Sequence, residues 1–280
     1  VAAAERVFEF LDGEEESDEG AHVLPHVVRG DVSFSNVRFG YDAEHTVIGG
    51  FTAEVKSGMK VAIVGPTGAG KTTMVKLLMR FYDLQGGMIR IDGHDIASLS
   101  RKNLRSLFGM VLQDAWLFNG TIRENIRYGN LSATDDEVEE AAKAARIDHF
   151  IHTLPDGYRM VVNEESSNIS QGQRQLITIA RAILADPSIL ILDEATSSVD
   201  TRTEVLIQEA MDHLMARRTS FIIAHRLSTI RNADLIVVMH HGDIIEQGTH
   251  EQLLAKGGFY TDLYSAQFEH SEVGDIPSSD

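Results

Sequence analysis

Apolar residues in this chain come in short, dense runs separated by glycine, proline and charge, and the period within the runs changes along its length. In the first eleven residues Val7, Phe8 and Leu11 fall at helical spacing, and Asp12-Gly13 ends the run. Residues 12–30 are acidic, contain Gly and Pro, and predict a linker. From Asp31 the pattern alternates: Val32, Phe34, Val37 to Phe39, Val47-Ile48 and Phe51 to Val55 predict an antiparallel β region. Lys60-Val61-Ala62-Ile63-Val64 is short, apolar and β-branched, the pattern of a buried strand. From Thr73 to Phe81, Val75, Leu78 and Met79 return to helical spacing. Met88 to Ile91, followed by Asp92-Gly93, predicts a strand entering a turn.

The middle of the chain is helical in pattern. Thr134-Asp135-Asp136-Glu137 fits a capping box, and Val138, Ala141, Ala142 and Ala145 follow on one face. Leu176, Ile179, Ala180 and Ile183 make a second amphipathic stripe, so residues 115–185 predict a mostly helical insert. Three more apolar runs follow: Ser188 to Leu192, ending in Asp193-Glu194; Phe221 to Ala224; and Leu235 to Met239. Ser271 to Asp280 is mostly polar and is expected to fray. No internal repeat is visible.

Charge and composition narrow the partners. Asp and Glu number 42 against 25 Lys and Arg, a formal net charge of −17. That balance argues against a nucleic-acid surface, which needs a basic stripe. Glu14, Glu15, Glu16, Asp18 and Glu19 concentrate part of the excess and fit a solvated linker. With no cysteine, neither a disulfide framework nor a thiolate metal site can form. No apolar run approaches the roughly 20 residues of a membrane-spanning helix. The chain opens on Val1 without an initiator methionine or signal-peptide pattern, which suggests a piece of something longer.

The candidate chemistry centres on Gly65-Pro66-Thr67-Gly68-Ala69-Gly70-Lys71-Thr72, a complete G-x-x-x-x-G-K-[ST] loop between a predicted strand and a predicted helix that begins near Thr73. Its glycines let backbone N–H groups turn toward phosphate oxygens, and the helix N-terminus adds partial positive charge. Lys71 would reach the β- and γ-phosphates of a nucleoside triphosphate, and the Thr72 hydroxyl would ligate Mg²⁺. Ligands of open α/β sheets gather at the carboxyl ends of strands, where Asp193, Glu194 and His225 also fall. Asp193 is expected to hold Mg²⁺ through water, and Glu194 to polarise the attacking water. An Asp-Glu pair after a strand also fits a plain helix N-cap.

At Asn168-Ile169-Ser170-Gln171-Gly172-Gln173 the chain closely resembles the signature motif of ATP-binding-cassette (ABC) proteins. Further motifs follow the family's order. Tyr41 matches the aromatic residue that stacks on adenine, and Gln113 the glutamine that touches Mg²⁺ and senses the transmembrane partner. Ser197-Ser198-Val199-Asp200 matches the D-loop, and Ala224-His225-Arg226 the switch histidine. The resemblance runs from Asp31 to about Phe268 and implies an α/β P-loop ATPase domain. That domain has a RecA-like core, an antiparallel β subdomain and an α-helical subdomain at about 115–185. Residues 1–30 would then link to a transmembrane domain of the full-length chain, and 269–280 form a flexible tail.

Phe118 to Ile126 and Ala4 to Asp12 resemble exporter patterns, the second being the segment that joins the last membrane helix to the ATPase domain. The resemblance implies ATP and Mg²⁺, with Glu194, His225, Lys71 and Gln113 as catalytic residues. The nucleotide would be held by Tyr41, the Gly65 to Thr73 segment, and Ser170, Gln171, Gly172, Gln173 and Asp200 across a dimer of two such domains. Thr72, Gln113 and Asp193 would face the metal. It also implies a place at the cytoplasmic face of the membrane. A soluble cassette ATPase and an importer subunit are the alternatives.

Two departures stand out. The signature has Gln171 where the family usually has Gly, and Asn163 to Ser167 keeps only Glu164 of the preceding Gly-Glu-Arg-Gly. They leave homodimer and heterodimer both open. Ser170 to Gln173 is also a valid capping box, so Ser170 fits a helix cap as well as an anion clamp. Trp116 reads as a packing or subunit-contact residue, and His240-His241 as a turn.

Overall fold

The computed structural model describes residues 2–13, 28–42, 45–112, 115–162, 169–193, 199–224 and 226–266. Its strands in chain order are β1 (Val32–Gly40), β2 (Thr46–Val55), β3 (Lys60–Val64), β4 (Gly86–Ile91), β5 (His94–Asp95), β6 (Phe108–Val111), β7 (Gly120–Thr121), β8 (Val161–Val162), β9 (Ile189–Asp193), β10 (Thr219–Ile223), β11 (Leu235–His240) and β12 (Asp243–Gly248). The alternating runs form an antiparallel sheet in the order β2-β1-β4-β5, with Val32 opposite Val55 on one side and Ile91 on the other. The continuous apolar runs form a six-stranded sheet in the order β12-β11-β3-β10-β9-β6, parallel except for its β12 edge.

Successive side chains on a strand point to opposite faces, and the parallel sheet divides its residues accordingly. Val61, Ile63, Ile189, Ile191, Phe221 and Ile223 join one core with the antiparallel sheet and the helix Lys71–Leu78. Ala62, Val64, Leu190, Leu192 and Ile222 join a second core with the helices on the other side. Burial on both faces accounts for strands that are apolar throughout.

The second core reaches into the middle of the chain, where helices Ile122–Arg127, Asp135–Ala144, Asp148–Thr153 and Gln171–Ala185 accompany the β7-β8 ribbon. Thr134 and Glu137 form the expected capping box, and Thr121 with Glu124 forms another. Each cap is worth about 1 kcal/mol. Asn125, fully buried, ties this region together. Its amide accepts from Phe118 N–H at 3.1 Å and donates to the carbonyls of Phe118 (3.1 Å) and Thr121 (3.0 Å).

One helix boundary differs in detail from its pattern. The helix after the phosphate loop runs Lys71–Leu78 rather than to Phe81, because Arg80 turns left-handed at φ 52°. That turn is anchored by Arg80 hydrogen bonds to Asp83 Oδ1 and to the Leu99 carbonyl, both 2.8 Å. At the start of the chain the helix Ala2–Leu11 leaves Val7, Phe8, Phe10 and Leu11 exposed.

Candidate nucleotide-binding and active site

Strand β3 delivers the chain to the phosphate loop, and the helix Lys71–Leu78 carries it away. Gly65 sits at φ 151°, and a Cβ there would lie 2.2 Å from the Met239 carbonyl of β11, so only glycine lets the loop pass that strand. Gly70 heads the helix in the left-handed region, at φ 99°, a conformation that costs glycine nothing. Lys71 folds back over the loop and donates to the carbonyls of Gly65 (2.7 Å) and Pro66 (3.0 Å). Burial pulls its ammonium pKa down, and the negative charge of Asp193 opposes that shift.

The loop floors a cleft of about 470 Å³ lined by Tyr41, Val47, Thr67 to Thr73, Asp193 and Ile223. Asp193 closes β9 in the same row as Ile223 of β10 and Ile63 of β3. Two inter-strand spacings of about 4.8 Å set it about 10 Å from the β3 strand that feeds the loop. Thr72 and Asp193 thus bring oxygen donors to one cleft, a set that fits Mg²⁺, which takes one or two carboxylates together with substrate phosphates. Tyr41, a half-exposed residue, lines the cleft, its hydroxyl 3.0 Å from Thr73 Oγ1.

The Ser170 segment is not in this cleft. Ser170 caps the helix Gln171–Ala185: its Oγ accepts from Gln173 N–H at 3.3 Å, and its own N–H donates to Gln173 Oε1 at 2.9 Å. A Cβ on Gly172 would meet Thr203 Cγ2 at 2.4 Å and Val199 Cγ1 at 2.9 Å, so glycine permits this helix to press against the helix Thr201–Met215. Asp200 caps that second helix through Thr203 N–H at 3.0 Å, a bond that holds its carboxyl below the usual range. The fold therefore gathers Ser170 to Gln173 with Asp200, and gathers Tyr41, Gly65 to Thr73 and Asp193 separately. Glu194, His225 and Gln113 lie outside the described residues.

A second cleft, of about 390 Å³, opens between edge strand β6 and the helical region, lined among others by Met110, Leu112, Trp116, Tyr128 and Arg181. Trp116 is 57% exposed on its wall rather than packed inside. Arg181 donates to Asn125 O (2.9 Å), Asn125 Oδ1 (3.1 Å) and Trp116 O (3.3 Å), and lies 5.4 Å from the centre of the Tyr128 ring. It has no carboxylate partner among the described residues, and burial lowers its pKa. Neither Arg181 nor Tyr128 stands out in the sequence as a site residue. The one signal was an Arg inside an otherwise apolar helical stripe.

A glycine-rich loop between a central parallel strand and its helix, an acidic residue at the end of the strand two places away, and a helical insert define a P-loop ATPase domain. A family model described as "ABC transporter" matches residues 48–197. The chain belongs to the ABC transporter family and corresponds to its ATP-binding portion. Over 266 residues it is 58% identical to the "fatty acid ABC transporter ATP-binding/permease protein" of Mycobacterium tuberculosis, covering 95% of this chain and 42% of that one. It is 46% identical to the "ATP-dependent lipid A-core flippase" of Chromobacterium violaceum, over 98% of this chain and 47% of the flippase. The solved structure of a bacterial Atm1-family ABC exporter with ATP bound is 42% identical, with a TM-score of 0.85 over 100% of this chain and 48% of that one. The chain thus spans under half the length of these relatives. No helix among its described residues is long and apolar enough to cross a membrane.

Proposed function

We propose that this chain is the ATP-hydrolysing motor of an exporter, working as a dimer of two such domains around two ATP molecules at the cytoplasmic face of a membrane. The observation that carries this reading is the separation of the two half-sites. The phosphate loop and Asp193 share one cleft, while the capped helix at Ser170 lies apart from it with Asp200. A helix N-terminus with a serine hydroxyl suits a γ-phosphate, and a second domain brings one to each cleft. ATP then joins the two faces, and its hydrolysis releases them.

In this reading Lys71 leaves the Gly65 and Pro66 carbonyls to meet the β- and γ-phosphates, and Tyr41 receives the adenine. Glu194 takes the proton of the attacking water, with His225 beside it and Gln113 reporting to the membrane part. Thr72, Asp193 and Gln113 would hold Mg²⁺, which when bound would neutralise charge on the phosphates. The cleft at Trp116 and Arg181, next to Leu112, is the face we assign to the permease portion. Relatives named for fatty acid and for lipid A-core make an acyl-chain amphiphile the substrate class we propose.

The test is the mass of the Glu194→Gln chain by light scattering, with and without Mg-ATP. A monomer that doubles only with Mg-ATP, with turnover nearly abolished, supports the reading. Turnover at the wild-type rate in that variant removes Glu194 as the base. Tight ATP binding without self-association directs the search to a different partner domain.

A further inference from the structure

Tyr41 does not stand alone in the lining of the phosphate cleft. It follows Gly40, the last residue of β1, and the residue is 52% exposed. Two other rings meet it nearly at right angles: Phe39 at 5.0 Å and 84°, and Tyr82 at 5.2 Å and 85°. Phe39 and Tyr82 also touch each other, at 5.3 Å. Perpendicular rings at this separation are an attractive arrangement, and the Tyr41 hydroxyl is held at its far end by Thr73, 3.0 Å away. Phe39 is buried in the sheet core, whereas Tyr82 is 40% exposed, so its contact with Tyr41 is not a by-product of deep packing.

The backbone that carries Tyr82 is pinned by several bonds. Arg80 adopts φ 52° and bonds to the Leu99 carbonyl and to Asp83, which is also paired to Arg101 at 2.9 Å. Phe81 N–H donates to Lys76 O at 2.9 Å, fastening the same corner to the end of the phosphate-loop helix. The corner thus presents the Tyr82 ring to Tyr41 from an element continuous with the phosphate loop.

We propose that Tyr82 is a positioning residue for the nucleotide base: it holds the Tyr41 ring in its stacking orientation before ATP arrives. The proposal rests on the reading of Tyr41 as the adenine platform. A half-exposed tyrosine next to a loop would otherwise lose rotamer freedom on binding, and a braced ring has already lost it. Tyr82 acts through Tyr41, so it should matter for ligands with a base and not for those without one.

The experiment measures dissociation constants of Mg-ATP and of Mg-tripolyphosphate by calorimetry for the 280-residue chain and its variants, with urea midpoints as a folding control. Tyr82→Ala is expected to weaken Mg-ATP about fivefold, which at 1.4 kcal/mol per decade is about 1 kcal/mol, within the range of aromatic pairs. Tripolyphosphate should bind unchanged, Tyr82→Phe should restore ATP affinity, and Tyr82→Ala should add nothing in a Tyr41→Ala background. If Tyr82→Ala folds poorly, Tyr82→Leu keeps the bulk without the ring and serves the same test. Equal losses for ATP and tripolyphosphate would overturn the proposal, as would an unreduced effect in the Tyr41→Ala background. If Tyr41→Ala itself leaves ATP affinity intact, the platform reading falls and the brace falls with it. If Tyr41→Ala weakens ATP and Tyr82→Ala does not, the platform stands and only the brace is lost.

Discussion

Substitution at Ser170 separates a helix cap from an anion contact, because the two roles respond differently to charge. Ser170→Ala removes the bond from Gln173 N–H and leaves the reciprocal one from Ser170 N–H to Gln173 Oε1. Loss of a cap costs about 0.5–2 kcal/mol, and a bond of 3.3 Å belongs at the lower end, about 0.5–1 kcal/mol. For a domain of this size that lowers Tm by about 1–4 °C. Ser170→Asp keeps an oxygen at the cap and adds a charge that the helix dipole favours, so its Tm should return close to the parent value. Its carboxylate, however, would face the γ-phosphate of the opposing nucleotide. Two like charges about 4 Å apart repel by about 4 kcal/mol at an effective dielectric near 20. Turnover in Ser170→Asp should therefore fall at least about tenfold below that of Ser170→Ala. Thermal unfolding and phosphate release on the same preparations give both numbers. An Asp variant that regains stability and turnover together would show that Ser170 is a cap alone, and the two-domain sandwich would lose its contact.

Asn125→Leu keeps the volume but removes the Oδ1 that accepts from Phe118 N–H and Arg181 Nη2, and the Nδ2 that donates to the carbonyls of Phe118 and Thr121. About 2–4 kcal/mol of stability should go, seen as a lower urea midpoint at unchanged m; a shift below about 0.5 kcal/mol would mean that water replaces the amide. His250 is buried, its Nδ1 lies 2.7 Å from the Tyr260 hydroxyl, and burial, then the Arg231 charge, lower its pKa in the fold. Below the ordinary histidine value near 6.5 the unfolded chain takes up a proton that the folded chain refuses. Stability is then full above pH 6.5 and declines as pH falls toward the lowered pKa. His250→Gln should flatten that part of the stability profile, and an unchanged slope between pH 5 and 7 would assign it to other groups.

The sequence by itself determined the local pieces whose physics is short-range. The glycine loop at Gly65 to Thr72 and the boxes at Thr134 and Ser170 depend on neighbours within a few residues. The apolar runs that became β3, β9, β10 and β11 were legible because strands buried on both faces must be apolar throughout. Edge strands carry a weaker pattern: β6 and β12 pair on one side only, and neither stood out from the residues around it. The helix Thr201–Met215 was also illegible, since its core contacts rest on Ile207, Ala210, Leu214 and Met215 amid a polar surface.

Tertiary structure alone decided what meets what. Sequence periodicity says which residues share a face, not which strand lies beside which, so the placement of β1 between β2 and β4 was not written in either run. The same holds for the site. Asp193 reaches the phosphate cleft only because β10 and β3 line up with β9 in register. Gly172 meets Thr203, Arg181 meets Asn125 and Tyr128, and Tyr82 meets Tyr41, through pairings between segments distant in sequence. Local backbone preference is a property of a few adjacent residues. Convergence is a property of the packed whole, where burying two faces of one sheet leaves a single arrangement for the ends of its strands.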